Sequence, residues 1–241
     1  MSEPTAFLLA LRASTADLVK HLTALHWGDA DVAAASLCPG WTRGHVLTHL
    51  ARNADGISDT LAGALRGEIV ERYPNGRAGR DADIDAGANR PYAALLADVR
   101  ESAERLDRML GAIGDADGWG LTTAEDAQAE AWVYRRWREV EIHRVDLLAD
   151  YGPDAWPQLF VTETLSDAMP ALDERAQGAV RVTITAAGSV SPDLVGKEWT
   201  AGTGEHVDVR GPDWAVLAWL VGRTAIVGDA LSATPPLNDW G

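Results

Sequence analysis

Glu139 and His143 stand four positions apart in the stretch Arg138-Glu139-Val140-Glu141-Ile142-His143-Arg144-Val145-Asp146. On a helix that spacing puts both side chains on one face, one turn apart. A carboxylate and an imidazole so placed can hold one metal ion. A second pair at the same spacing, His45 and His49, lies upstream in Gly44-His45-Val46-Leu47-Thr48-His49. If the two helices pack side by side, His49, Glu139 and His143 can converge, and three protein ligands leave one coordination position open, as catalytic zinc requires. Each pair alone has a plainer reading: a capping or surface histidine beside a core one, and a Glu–His contact on a helix surface. Polar pairs on separate helices of one bundle are nevertheless the usual way a bundle builds a metal site.

Asp146 follows His143 by three and can accept its free imidazole N–H, a role that orients a ligand. A solvated aspartate would be poorly placed at a helix C-terminus, where the helix dipole opposes negative charge. Arg80 and Arg223 are candidate carboxylate clamps, because guanidinium grips carboxylate with a fork of donors; their plainer reading is solvation. Cys38 is the single cysteine, so a multi-cysteine metal site and an intrachain disulfide are both excluded. With no cationic group or CxxC partner beside it in sequence, it reads as a small buried apolar residue rather than a nucleophile. The chain carries no G-x-S-x-G elbow, P-loop or dinucleotide fingerprint.

These residues must be positioned by helices. Leu8, Leu11, Leu18, Leu22 and Leu25 give residues 5–26 a helical stripe, with Thr15 where a further leucine is missing. Residues 27–40 form a connector ending in the turn signal Pro39-Gly40, and Thr42 caps a second helix that runs to about Leu65. Residues 66–90 read as the least regular part, with Tyr73 to Arg80 a loop whose Arg72, Arg77 and Arg80 can reach an anionic ligand. A third helix runs from Pro91 to Ile113, broken by Gly111, Gly114 and Gly118, and a fourth from about Thr123 to Asp150. On the fourth, Trp132, Arg136, Glu139, His143 and Asp146 share one face.

The segment Tyr151 to Pro157 marks a boundary. Beyond it come a helix over Leu159–Leu172, a strand over Ala179–Ala186, shorter strands at Glu198–Ala201 and His206–Arg210, and a last helix over Asp213–Val221. The expected class is α+β: a four-helix bundle over 1–151 and a smaller α/β domain over 158–241.

Ten tryptophans against two phenylalanines make aromatic burial depend on indoles, whose N–H groups need partners. A net charge of −15 and a pI near 4.7 disfavour nucleic acid and anionic membrane surfaces. The start Met1-Ser2-Glu3-Pro4 has no basic or long apolar segment, and no apolar run is long enough to span a bilayer, so a cytoplasmic location is expected.

Pro39-Gly40-Trp41-Thr42-Arg43-Gly44-His45-Val46-Leu47-Thr48-His49-Leu50, with Arg138 to Leu147 and Trp219-Leu220-Val221-Gly222-Arg223, resembles the mycothiol-dependent maleylpyruvate isomerase family, related to the DinB-like helical bundles. The resemblance covers essentially the whole chain. It implies a DinB-like metal-binding bundle, Zn2+ held by His49, Glu139 and His143, Asp146 beside them, and Arg223 and Arg80 as active-site arginines. It further implies mycothiol, a low-molecular-weight thiol, as cofactor. Its thiolate would add to the cis double bond of maleylpyruvate, which rotates and re-forms trans as the thiol leaves, giving fumarylpyruvate. Two other readings stand beside this one: a mycothiol S-transferase acting on another electrophile, and a non-catalytic regulatory module whose metal is closed off by a fourth ligand, for which His45 is nearest. The expected partners are a small electrophile and mycothiol, without nucleic acid or membrane, in a monomer or weak homo-oligomer.

Overall fold

The structure, a computed structural model, describes residues 3–238. Met1 and Ser2, read above for a leader, lie outside that range. The chain divides into two compact units, Met1–Ala149 and Asp150–Gly241. No helix among the described residues is long and apolar enough to cross a membrane.

The first unit contains α1 (Glu3–Ala24), α2 (Asp29–Ala33), α3 (Arg43–Leu65), α4 (Gly76–Ala88), α5 (Tyr92–Asp115) and α6 (Ala131–Asp146). The four long helices make a bundle, with α3 against α5 and α6, and α1 against α6 and α5. Their stripes supply its interior: Leu18 and Leu22, Val46, Leu50 and Leu61, Leu95 and Val99, and Trp137 and Val140 are all essentially inaccessible. Each such burial stabilises the fold by roughly 1.5–3 kcal/mol. The indole N–H groups are satisfied as their burial demands: Trp132 donates to Thr123 Oγ1 at 2.7 Å and Trp137 to Ser14 Oγ at 2.8 Å.

Four expectations for this unit are corrected. The connector 27–40 contains the short helix α2, and Asp29 accepts from the backbone N–H of Tyr92 at 3.0 Å, so it tethers the start of α5. The loop expected from Tyr73 to Arg80 gives way to α4, which begins at Gly76. Only Ile84 and Ala88 of α4 are buried, so it has almost no stripe of its own. Contact with α3 forms it: a Cβ added at Gly44 would lie 2.1 Å from the Ala88 carbonyl oxygen, an approach only glycine permits. Finally, α6 starts at Ala131 rather than near Thr123. Glu125 and Asp126 take φ of 59° and 51°, and Thr122 bridges Gln128 across the resulting turn. Gly111 and Gly114, expected to break α5, lie inside it.

The second unit contains α7 (Gln158–Ala168), α8 (Leu172–Arg175), β1 (Val180–Ile184), β2 (Glu198–Ala201), β3 (Val207–Gly211) and α9 (Asp213–Leu220). The sheet order is β2-β1-β3. Val180 pairs with Ala201 in the antiparallel ladder and with Val207 in the parallel one. Val180, Val182 and Ile184 are buried, and α9 packs on β1 and β3. The molecule is thus mostly helical, with one small sheet in its C-terminal part.

Candidate metal centre

His49 projects from the second turn of α3, and Glu139 and His143 from successive turns of α6. The helices that carry them are fixed independently. Thr42 caps α3, accepting from the His45 N–H, and α6 is anchored by buried Trp132 and Trp137. Glu139 Oε2 lies 2.8 Å from His49 Nε2 and 3.3 Å from His143 Nε2. The two rings meet edge to face with centroids 4.6 Å apart. One donor atom from each of the three residues falls within 4.8 Å of the other two. Two imidazole nitrogens and one carboxylate oxygen suit a zinc-like divalent ion and leave a position for an exchangeable ligand. His49 is 3% exposed and Glu139 28%, so the cluster is closed at its floor and open at its mouth.

The protonation pattern follows from the neighbours. Burial first, then the adjacent His143, lowers the His49 pKa to about 4, so this ring is neutral. Burial also works against charge on His143, but Asp146, Cys38 and Glu139 outweigh it and hold its pKa well above the usual histidine value. The Glu139 carboxyl is kept well below its ordinary range by both histidines, against the opposing effect of burial. Without metal, His143 is therefore the cation and Glu139 the anion that lies between the rings.

Asp146 is fully buried and its Oδ2 lies 2.7 Å from His143 Nδ1. It fixes one proton on Nδ1 and leaves Nε2 facing the cluster. Cys38 donates its S–H to the same Oδ2 at 3.2 Å. The expectation of a purely apolar, buried Cys38 is therefore corrected: it is half-buried and polar in its contacts. Nothing in its spacing announces this. The turn at Pro39-Gly40, closed by the Ala35–Thr42 bridge, brings it to α6.

His45 is turned out of the cluster. Its Nδ1 accepts from the Thr42 backbone N–H at 3.1 Å and its Nε2 lies 3.5 Å from Asp85. It is a helix-capping residue and belongs to neither group of potential metal ligands among the described residues, His49-Glu139-His143 or Cys38-His143-Asp146.

Arg80, on α4, reaches the centre: its Nη2 lies 3.2 Å from His49 Nδ1. Its guanidinium stands 5.9 Å from the Trp41 ring and 5.7 Å from that of Tyr73. A polar cavity of about 310 Å3 adjoins it, lined also by Arg52, Asp55, Arg72, Asp83 and Arg105. Arg77, grouped with Arg72 and Arg80 from the sequence, is exposed and does not line that cavity. Arg223 belongs to the second unit, where it follows α9 and donates from Nη1 to the Val221 carbonyl at 2.6 Å.

Residues 11–148, more than half of the 241 in the chain, match the family described as the mycothiol maleylpyruvate isomerase N-terminal domain. No curated protein matches the chain. Among solved structures, the chain is similar to a crystal structure of the mycothiol-dependent maleylpyruvate isomerase, with a TM-score of 0.81 at 23% identity over 98% of this chain and 97% of that one. A structure of a histidine-to-alanine mutant under the same name gives a TM-score of 0.82 at the same identity and coverage. At that identity the likeness speaks for the fold.

Proposed function

The chain belongs to the mycothiol maleylpyruvate isomerase N-terminal domain family, and from that premise we propose that it is a zinc- and mycothiol-dependent enzyme that isomerises maleylpyruvate to fumarylpyruvate. The observation that carries the reading is the convergence of His49, Glu139 and His143 within 4.8 Å, with His49 buried and Glu139 and His143 partly exposed. A divalent ion held there would lower the pKa of a bound thiol toward neutrality.

The chain's own groups do the rest. Asp146 keeps the Nδ1 proton on His143, so that Nε2 is free to ligate. Arg80 donates to His49 Nδ1 and thereby holds the ring's own proton on Nε2, toward Glu139. A divalent ion held through Nε2 would leave the ring proton on Nδ1, opposite a guanidinium that accepts nothing. In this proposal Arg80 would then be available to a substrate carboxylate, flanked by Trp41 and Tyr73. Arg223 is the second carboxylate-binding group, stabilising negative charge that develops on the substrate.

The test is metal analysis of the purified protein with an assay of maleylpyruvate and mycothiol. Isomerisation at catalytic thiol is expected. Thiol consumed in step with substrate would identify an S-transferase on another electrophile instead. His143→Ala should lose metal and activity and keep its helical circular dichroism. Arg223→Ala should keep the metal and lose most of the rate. Stoichiometric zinc bound at full affinity by His143→Ala would overturn the site.

A further inference from the structure

A cavity of about 720 Å3 opens between α1 and α5, on residues the proposed reaction does not use. Its origin is visible in the sequence. The leucine stripe of α1 is interrupted at Thr15, and the stripe of α5, Leu95-Val99-Leu106-Leu110, is interrupted at Ser102-Ala103. Thr15 and Ala103 both line the cavity, with Leu11, Val19, Leu106 and Leu110 as further walls. Side chains span the groove in place of packed leucines: Arg12 pairs with Asp107 at 2.6 Å and Arg100 donates to Thr23 at 3.2 Å. The volume is that of a small-molecule site.

At its inner end lies Arg136, 2% exposed. A guanidinium this deep ordinarily has a carboxylate partner, because an uncompensated buried charge is costly. The hydrogen bonds of Arg136 both leave Nη1, to the Leu50 carbonyl and to Asn53 Oδ1, each 2.8 Å; among the described residues no carboxylate lies within ion-pair distance, and the Glu139 charge acts on it only through space. Asn53 has given its acceptor to Arg136, and its buried Nδ2 has no partner. The surroundings therefore hold more donors than acceptors. The rim repeats the bias: Arg12, Lys20, Arg100 and Arg108 stand against Glu104 and Asp107, in a chain of net charge −15.

We propose that this cavity binds an amphipathic monocarboxylate, its apolar body between α1 and α5 and its carboxylate on the free donors of Arg136. The site is distinct from the metal centre, although Arg136 precedes Glu139 by three residues on α6.

The probes are 4-phenylbutanoate and, with the same body and no charge, 4-phenylbutan-1-ol, titrated calorimetrically into the zinc-loaded protein. The acid should bind one to one and at least about tenfold tighter than the alcohol, the discrimination expected of a charge-assisted hydrogen bond. Thr15→Leu/Ala103→Leu restores both stripes and fills the cavity. It should keep its zinc and weaken the acid by about tenfold or more. Arg136→Gln, where it folds, should bring acid and alcohol to equal affinity; the filled variant decides the matter without it. His143→Ala, lacking metal, should bind the acid as the parent does. Absence of binding, equal affinity for acid and alcohol in the parent, unchanged affinity in the filled variant, or loss of binding in His143→Ala would each overturn the proposal, the last by placing the carboxylate on the metal.

Discussion

Asp146 does more for the proposed centre than its distance from the metal position suggests. It accepts from His143 Nδ1 and from the Cys38 thiol with one oxygen, and the carboxylate itself is fully buried although both partners are only partly so. Asp146→Asn keeps the size and loses the charge, and the amide can present a donor to Nδ1, which turns the wrong tautomer toward the metal. Zinc affinity should fall by about 10–100-fold with unchanged helical content, as read by competition with a chelating dye. A second expectation comes from His143 itself. It is protonated near neutral pH in the metal-free protein, and a ligating imidazole must be neutral. Zinc binding at pH 7 should therefore release about one proton, seen as a dependence of the binding enthalpy on the ionisation enthalpy of the buffer. A buffer-independent enthalpy would mean that His143 is neutral before the metal arrives. The pairing of Glu139 with His143 was legible from spacing. Cys38 was not, because what makes it polar is a contact with a residue 108 positions away.

At the scale of elements, sequence periodicity served wherever a helix buries a full stripe. α1, α3 and α5 are such helices, and their expected bounds hold to within a few residues. α4 was hidden because its glycines, arginines and aspartates read as a loop, and what makes it helical is docking on α3. That docking depends on Gly44, whose absent Cβ leaves room for the Ala88 carbonyl. Gly44→Ala gains about 1 kcal/mol of helix propensity, but the clash is with backbone and cannot be relieved by a rotamer change. Overpacking of this kind costs about 1–3 kcal/mol, so the urea midpoint should fall. Zinc should be retained, since its proposed ligands lie on α3 and α6, whereas α4 carries only Arg80. An unchanged midpoint would mean that α4 slides without cost. The late start of α6 was hidden for a different reason. Thr123 satisfies the Trp132 indole, a tertiary demand that outweighs the local preference for helix.

For the whole molecule, the three groups at the centre tie global stability to pH, and they do so in opposite directions. His49 has a folded pKa of about 4 against 6.5 for the free side chain. Between those values the unfolded chain binds the proton that the folded chain refuses. Stability of the metal-free protein therefore falls as pH drops from about 6.5 toward 4, by roughly 3 kcal/mol from this group alone. Glu139, depressed in the fold, adds a loss at the acid end as pH falls through its folded value. His143 has the reverse sign. Its raised folded pKa contributes stability that is complete below about 6.5 and is lost as pH rises through the folded value. The metal-free protein should accordingly be most stable near pH 6.5, with urea midpoints declining on both sides. Zinc changes the alkaline arm. The His143 proton is expelled on binding, so metal affinity increases with pH until that group is already neutral, and a ligand that binds only the folded state stabilises by RT ln(1 + [L]/Kd). The optimum of the zinc-loaded protein should move upward, while the acid arm steepens as protons compete for both imidazoles. Urea midpoints measured with and without zinc from pH 4.5 to 9 test this, and coincident profiles would place the metal away from His49, Glu139 and His143.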